Sequence, residues 1–203
     1  MRRIEAHLAN RYGRSFSLIR PLDYGVELPS DRDMHGQPPI IIEPYDPAWP
    51  GKFDTEKSLI ATVLAPWLVG PLEHIGSTAV PGLPAKPVID IMGPILDLPS
   101  SKPAIEVARS IGYCYFEYKA DVMHWFCKPS DFERTHHLHL IPNNSRLWRE
   151  RIAFRDRLRS DETIRREYRE LKLRLASQFR DDREKYTDAK TEFIESVLQR
   201  IVN

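Results

Sequence analysis

The chain has 203 residues, 41% of them hydrophobic and 29% charged, with a formal net charge of +1. That composition suits one soluble globular domain with appendages and allows a substantial core. A near-neutral balance gives nucleic acid and membrane no global attraction, and no apolar stretch is long enough for a transmembrane span.

Ile4, Leu8 and Tyr12 recur at helical spacing and predict a small amphipathic helix. "RPLDYGVELPSDRDMHGQPP" then reads as an irregular arm, so residues 1–39 are assigned to an arm and linker and 40–203 to the domain. Ile40 to Ile42 predict a short strand, with Asp46 as N-cap and Pro47 at the first helical position of the helix that follows. Phe53, Ile60, Leu64 and Trp67 mark one face of that helix. "KPVIDIMGPIL" is short, apolar and bounded by Pro and Gly, as a buried strand is. "KPAIEVARSIG" predicts an amphipathic helix closed by Gly112. "YCYFEYK" and "VMHWFCK" predict two strands joined by a tight "AD" turn. "THHLHLIP" alternates, with His137 and His139 on one face and Leu138 and Leu140 on the other, while His136 points away.

From Ser145 onward the pattern is helical. Ile164, Tyr168, Leu171, Leu175 and Phe179 form a core-facing stripe, and Thr187 is expected to cap a last helix through Ile194, Val197, Leu198 and Ile201. The order predicts an α+β fold with a mixed sheet and a C-terminal helical bundle. Cys114 and Cys127 lack CxxC spacing and read as reduced, buried thiols. The N-terminus is basic without an apolar signal core, so a cytoplasmic location is expected.

Chemistry concentrates in "HIGSTAVPGLPAKPVIDIM", residues 74–92. Backbone N–H groups at a glycine turn can cradle phosphate and a Ser hydroxyl adds a donor, although a Gly–Ser step alone is commonly just a turn. An ionised Asp90 on an apolar strand costs several kcal/mol unless paired or bound to metal; it could equally cap a neighbouring loop. Gly76–Ser77 followed by Asp90 supplies a phosphate grip and a metal ligand, the minimum for metal-assisted phosphoryl or nucleotidyl transfer. His137 and His139, sharing a face, are candidate metal ligands or acid–base groups. Residues 146–183 hold thirteen Arg and Lys against eight Asp and Glu. Such a run is commonly a solvated helix surface. Arg155 and Arg159 nonetheless share a face suited to phosphate or carboxylate, and Lys172 and Lys190 could point into one groove. Nucleic-acid binding is the weaker explanation, because the excess is local and the aromatics follow core spacing.

"IEPYDPAWPGKF", "HIGSTAVPGLPAKPVIDIM", "RTHHLHLIP", "FRDRLR", "YRELK" and "YTDAKTEFI" are, in this order, similar to the GrpB family. Its members look like nucleotidyltransferases of the polymerase β superfamily, and the module also occurs fused to dephospho-CoA kinase. The resemblance spans roughly residues 40–200. It implies a nucleotidyltransferase-like mixed sheet with flanking helices. Gly76, Ser77, Thr78 and Lys86 would contact a nucleotide, while Asp90, His137 and His139 would be catalytic and hold a divalent metal, Mg²⁺. Arg155, Arg159, Lys172 and Lys190 would contact an acidic small-molecule substrate or its phosphate. The superfamily's second acid would fall at Met92, a departure that keeps a second expectation alive: a non-catalytic nucleotide-binding or accessory module.

Overall fold

The computed structural model describes residues 38–202. The helix expected around Ile4, Leu8 and Tyr12, and the arm up to residue 37, lie outside the described residues. Five strands form one sheet in the order β1-β2-β5-β4-β3, where β1 is Glu73–Ile75, β2 Ile89–Ile95, β3 Cys114–Phe116, β4 His124–Pro129 and β5 Arg134–Pro142. Only the β2–β5 pairing is parallel, so the sheet is mixed.

Helix α1 (Trp49–Val63) precedes the sheet; α2 (Leu98–Ser101) and α3 (Ala104–Ser110) link β2 to β3. After β5 come α4 (Arg146–Ser160), α5 (Glu162–Gln178), α6 (Arg183–Asp188) and α7 (Thr191–Val202). Ser145 and Asp161 cap α4 and α5 by accepting from the N–H groups of Trp148 and Ile164.

The sheet's two faces receive different partners. Ile89, Ile91, Phe126, Leu138 and Leu140 pack with Trp49, Phe53 and Ile60 of α1 and with Ala104 and Ala108 of α3. The other face carries Ile75, Met92, Trp125, Cys127 and Ile141, covered by Leu147, Trp148 and Ile152 of α4. Behind α4, Leu158, Ile164, Tyr168 and Val197 join Val80 and Leu83 in a third cluster. Strict alternation along each strand sorts residues to these faces, so the expected α+β mixed sheet with flanking helices is found.

Several boundaries differ from expectation. Residues 40–42 form no strand: the Ile40 N–H donates to the Arg180 carbonyl and Glu43 pairs with Ala85, so the backbone finds partners on two elements and no ladder develops. Asp46 caps a turn, accepting from the Ala48 N–H at 2.8 Å, and α1 begins at Trp49 with Pro50 in its first turn. Helix α1 closes at Val63, leaving Trp67 in the turn beyond it, packed on the core. The β3–β4 connection is a loop over residues 117–123 instead of a tight turn, with Lys119 in the left-handed region and its carbonyl accepting from Val122 and Met123. Thr187 lies inside α6: Asp182 captures the Lys185 N–H and starts that short helix, which moves the break to Ala189–Lys190. Cys114 and Cys127 are unlinked, facing each other across β3 and β4.

Candidate metal centre and its adjoining cavity

Strands β2 and β5 set the site by register. Asp90 lies opposite His137 and Met92 opposite His139, so Asp90 and both imidazoles project from one face. On the other side of Asp90 stands Ile75 of β1, and the next residue, Gly76, turns the chain at φ 71°. A Cβ at Gly76 would sit 2.3 Å from Asp90 Oδ2. Left-handed backbone and close approach to the carboxylate both require glycine there. The Gly-Ser turn therefore lies directly against the Asp90 carboxylate.

His137 Nδ1 donates to Asp90 Oδ1 at 2.9 Å, and His139 Nε2 is 3.5 Å from the same oxygen. His137 Nε2 and His139 Nδ1 are buried without hydrogen-bond partners. One ligand-capable atom from each of the three residues lies within 4.8 Å of the others. Two donors bound to one ion at about 2.1 Å stand about 3–3.5 Å apart in octahedral or tetrahedral geometry, which the 2.9 and 3.5 Å separations of the imidazoles from Asp90 Oδ1 approach. Burial alone would raise the Asp90 carboxyl, but the hydrogen bonds from His137 and His139 outweigh it and hold it well below the usual range. Burial pushes the His137 imidazole down against the pull of Asp90. It takes His139 down to about 3, with the Arg151 charge adding to the effect. One ionised carboxylate and two neutral imidazoles are the protonation states that metal ligation requires.

A cavity of about 210 Å³ opens beside this cluster, lined by Gly76, Ser77, Asp90, His139, Arg151 and Tyr168 among others. Arg151 lies within the Asp90 field; burial lowers its pKa and Asp90 opposes that. Its Nη2 contacts Met123 Sδ at 3.7 Å, and it makes no ion pair with a carboxylate among the described residues. The Tyr168 hydroxyl interacts with the Ser77 side chain, and its ring stacks on Phe193 at 5.4 Å.

The structure brings together Asp90, His137, His139, Gly76 and Ser77. Other expected ligand contacts are engaged inside the fold. The Thr78 hydroxyl is buried, bonded to His74 Nε2 at 3.0 Å and donating to the Val88 carbonyl at 3.1 Å, so it fastens the glycine turn to the start of β2. Arg155 reaches the cavity wall, but its guanidinium donates to Glu73 Oε2 at 2.6 Å, to the His74 carbonyl and to Asp156. Arg159 donates to the Ala79 carbonyl at 2.9 Å. Both tie α4 to β1 and the glycine turn instead of offering open donors. Lys86, Lys172 and Lys190 do not line this cavity and group around Tyr186 and Tyr168. Arg151 and Tyr168 are polar cavity residues that the sequence did not mark for the site, Tyr168 having its place only in the core-facing stripe. Arg151 stands one turn before Arg155 on the same helix face, and that spacing was the signal available.

The GrpB protein family model matches residues 39–200. A UPF0157 protein of Pseudomonas aeruginosa is 39% identical over 169 residues, covering 79% of this chain and 67% of its own length. The glutamate-rich protein GrpB of Alkalihalophilus pseudofirmus is 32% identical, covering 80% of this chain and 95% of its own length. The crystal structure of the conserved protein GrpB from Enterococcus faecalis superposes with a TM-score of 0.70 at 30% identity, across 80% of this chain and all of that one. With the fold shared and the match spanning the whole sheet and the helices after it, the chain belongs to the GrpB family.

Proposed function

We propose that the chain binds a divalent transition ion through Asp90, His137 and His139 and holds a nucleotide in the adjoining cavity, for transfer of a nucleotidyl or phosphoryl group to an acidic small molecule. The observation that carries this reading is the triad itself: a carboxylate and two neutral imidazoles that each offer a ligand atom within 4.8 Å of the others, with a cavity beside them. Two imidazoles and one carboxylate suit Zn²⁺ or Fe²⁺ better than the Mg²⁺ expected from the resemblance, since Mg²⁺ favours oxygen donors. Such an ion, when bound, supplies Lewis-acid polarisation of a phosphoryl oxygen. Arg151 adds a half-buried positive charge facing Asp90, and the Ser77 hydroxyl, which interacts with Tyr168, lies in the cavity wall. The surplus of cations around one carboxylate supports an acidic acceptor.

Calorimetric titration of chelator-stripped protein with Zn²⁺, Mn²⁺ and Mg²⁺ tests the reading. Saturable binding of one transition ion per chain, lost in Asp90→Asn, is expected; no binding to the wild type overturns it. A specific observation favours the non-catalytic alternative. Met92, at the place of the superfamily's second acid, is fully buried with Ile75, Trp125 and Ile141, so no second carboxylate arises there. Nucleotide binding with ion present but without turnover against any acidic acceptor would select the binding-module reading.

A further inference from the structure

Lys86 lies just ahead of β2, Lys172 on α5, and Lys190 between α6 and α7. The fold gathers them. Lys86 Nζ and Lys190 Nζ stand 5.1 and 4.2 Å from the centroid of one ring, that of Tyr186. Lys172 is 2% exposed, donates to the Pro84 carbonyl two residues before Lys86, and sits 5.1 Å from the Tyr168 ring centre. Lys52, Lys128 and Lys185 each have a carboxylate partner; among the described residues none of these three lysines has one.

Burial together with the charges of Lys190 and Arg183 pushes the Lys86 ammonium down to about 7. Burial with Lys190 and Lys86 brings Lys172 to about 7. Burial takes Lys190 to about 8, and Asp90 is the one charge that favours its proton. Like charges held out of water repel, and a fold keeps such an arrangement when something of opposite sign repays it. Asp90 contributes a single negative charge, already engaged with two imidazoles. The remaining counter-charge must come from a ligand carrying several negative charges close together. Phosphodiester backbones carry one charge per residue and meet exposed cationic stripes. Ammonium groups gathered on aromatic rings, Lys172 buried and Lys86 and Lys190 half-buried, fit a compact polyanion instead.

We propose that Lys86, Lys172 and Lys190 form the seat of a di- or triphosphate group, with Lys86 and Lys190 donating to it and Lys172 fixing the Pro84–Lys86 segment. The ligand's chemistry rests on the nucleotide reading above; the seat itself stands on the three lysines.

The test is a titration of the full chain, in chelator and at constant ionic strength, with tripolyphosphate, pyrophosphate, orthophosphate, a nucleoside triphosphate and a single-stranded oligonucleotide. Tripolyphosphate should bind at least about tenfold more tightly than orthophosphate, and Lys86→Gln and Lys190→Gln should each weaken it by about tenfold or more, the loss of one charge-assisted hydrogen bond. Equal affinity for nucleoside triphosphate and tripolyphosphate would assign recognition to the phosphates alone; tighter nucleoside binding would add a base contact. Both support the seat. Because the ion is absent, Asp90→Asn should bind tripolyphosphate as well as wild type or better, which separates this proposal from the metal site. Orthophosphate binding as tightly, the oligonucleotide binding more tightly, or indifference to both lysine substitutions overturns it. Ligand-free melting temperatures of Lys86→Gln and Lys190→Gln at or above wild type verify that these variants fold.

Discussion

On one face of the sheet, Ile89, Ile91, Phe126, Leu138 and Leu140 close against α1 and α3, each at most 2% exposed. On the other face the same strands present Asp90, His137 and His139 together, and Asp90 and His139 line a cavity that cations from α4 also reach. Neighbouring residues of one strand thus serve opposite ends: Leu138 fills volume, while His137 and His139 on either side of it bring lone pairs to the Asp90 charge. The apolar face is governed by cavity cost and dispersion. The polar face is governed by hydrogen bonds, desolvation and the balance of charge. Substitutions on the first should therefore read out as stability and on the second as ligand binding.

The largest stability loss belongs to the apolar face. Leu138→Ala empties a fully buried site between Ile91 and Phe126 and should cost about 2–5 kcal/mol in chemical denaturation. Transition-ion affinity measured on the remaining folded protein should stay near wild type, even though residue 138 adjoins two ligands in sequence. A parallel fall in affinity would show that the faces are coupled and that the contrast is false.

Gly76→Ala is the variant that joins both effects. Its methyl would meet Asp90 Oδ2 at 2.3 Å and its backbone would hold φ 71°. Left-handed strain costs about 1–3 kcal/mol, and Asp90 must rotate away from His137 to make room. Loss of ion binding together with this moderate destabilisation is expected in calorimetry and thermal melting. Wild-type ion affinity in Gly76→Ala would break the link between the turn and the carboxylate.

Why the site was so readable follows from period and register. Alternation in "THHLHLIP" places His137 and His139 together, and an acid in an apolar strand demands a partner, so their meeting at Asp90 was legible. Arg151 was not. It shares a helix face with Arg155 and Arg159, and spacing fixes the face without telling which turn meets which neighbour. Glu73 and the Ala79 carbonyl, far off in sequence, capture Arg155 and Arg159, leaving Arg151 to the cavity. Tyr168 fits the core stripe by its ring, and the pattern is silent about where its hydroxyl ends. Thr78 looked like a donor next to Ser77, yet His74 and Val88 claim both sides of its hydroxyl. The missing strand at 40–42 has the same origin, since β-rich residues form a strand only beside a partner.

Asp90→Asn keeps the shape and an acceptor for the His137 N–H but removes the negative charge nearest Arg151, Lys86 and Lys190. Ion binding should be lost, while ligand-free stability falls by only about 1 kcal/mol. Destabilisation on the scale of Leu138→Ala would mean that Asp90 is a structural keystone rather than a ligand.

The lysine group predicts a pH dependence smaller than these losses. Lys86, Lys172 and Lys190 have folded values of about 7, 7 and 8 against an ordinary 10.5. The charges facing Lys86 are Lys190, Arg183, Arg134 and Asp90; Lys172 faces Lys190 and Lys86, and Lys190 faces Asp90. Between these folded values and the ordinary one, the unfolded chain holds more protons than the native state, so stability rises with pH. In anion-free buffer at fixed ionic strength the melting temperature should climb from about pH 7 to about 9.5. Above that, buried Tyr113, Tyr168 and Tyr186, whose hydroxyls are pushed upward by burial, oppose the trend as the unfolded tyrosines ionise. Lys190→Gln should flatten the climb, and saturating tripolyphosphate should flatten or reverse it. A melting temperature that falls steadily over this range in ligand-free wild type would remove the case for strained lysines.

Ser77→Ala should be the mildest change on the polar face. The 3₁₀ turn Ser77–Ala79 is held by backbone bonds, Ala79 N–H to the Gly76 carbonyl and Val80 N–H to the Ser77 carbonyl, and none of these needs the hydroxyl. The turn and Gly76 therefore keep their places against Asp90, and stability should move by no more than about 0.5 kcal/mol. What disappears is one donor into the cavity and its interaction with Tyr168. A neutral hydrogen bond is worth about 0.5–1.5 kcal/mol, so nucleotide affinity with ion present should drop by roughly 2- to 12-fold. Ion affinity alone should not change, because Ser77 is not among the three donors. Titrating Ser77→Ala with ion and then with nucleotide separates the two. A loss of ion binding equal to that of Asp90→Asn would put the hydroxyl in the ion's own shell. No change in either titration would confine it to Tyr168 and leave phosphate recognition to Arg151 and the lysines.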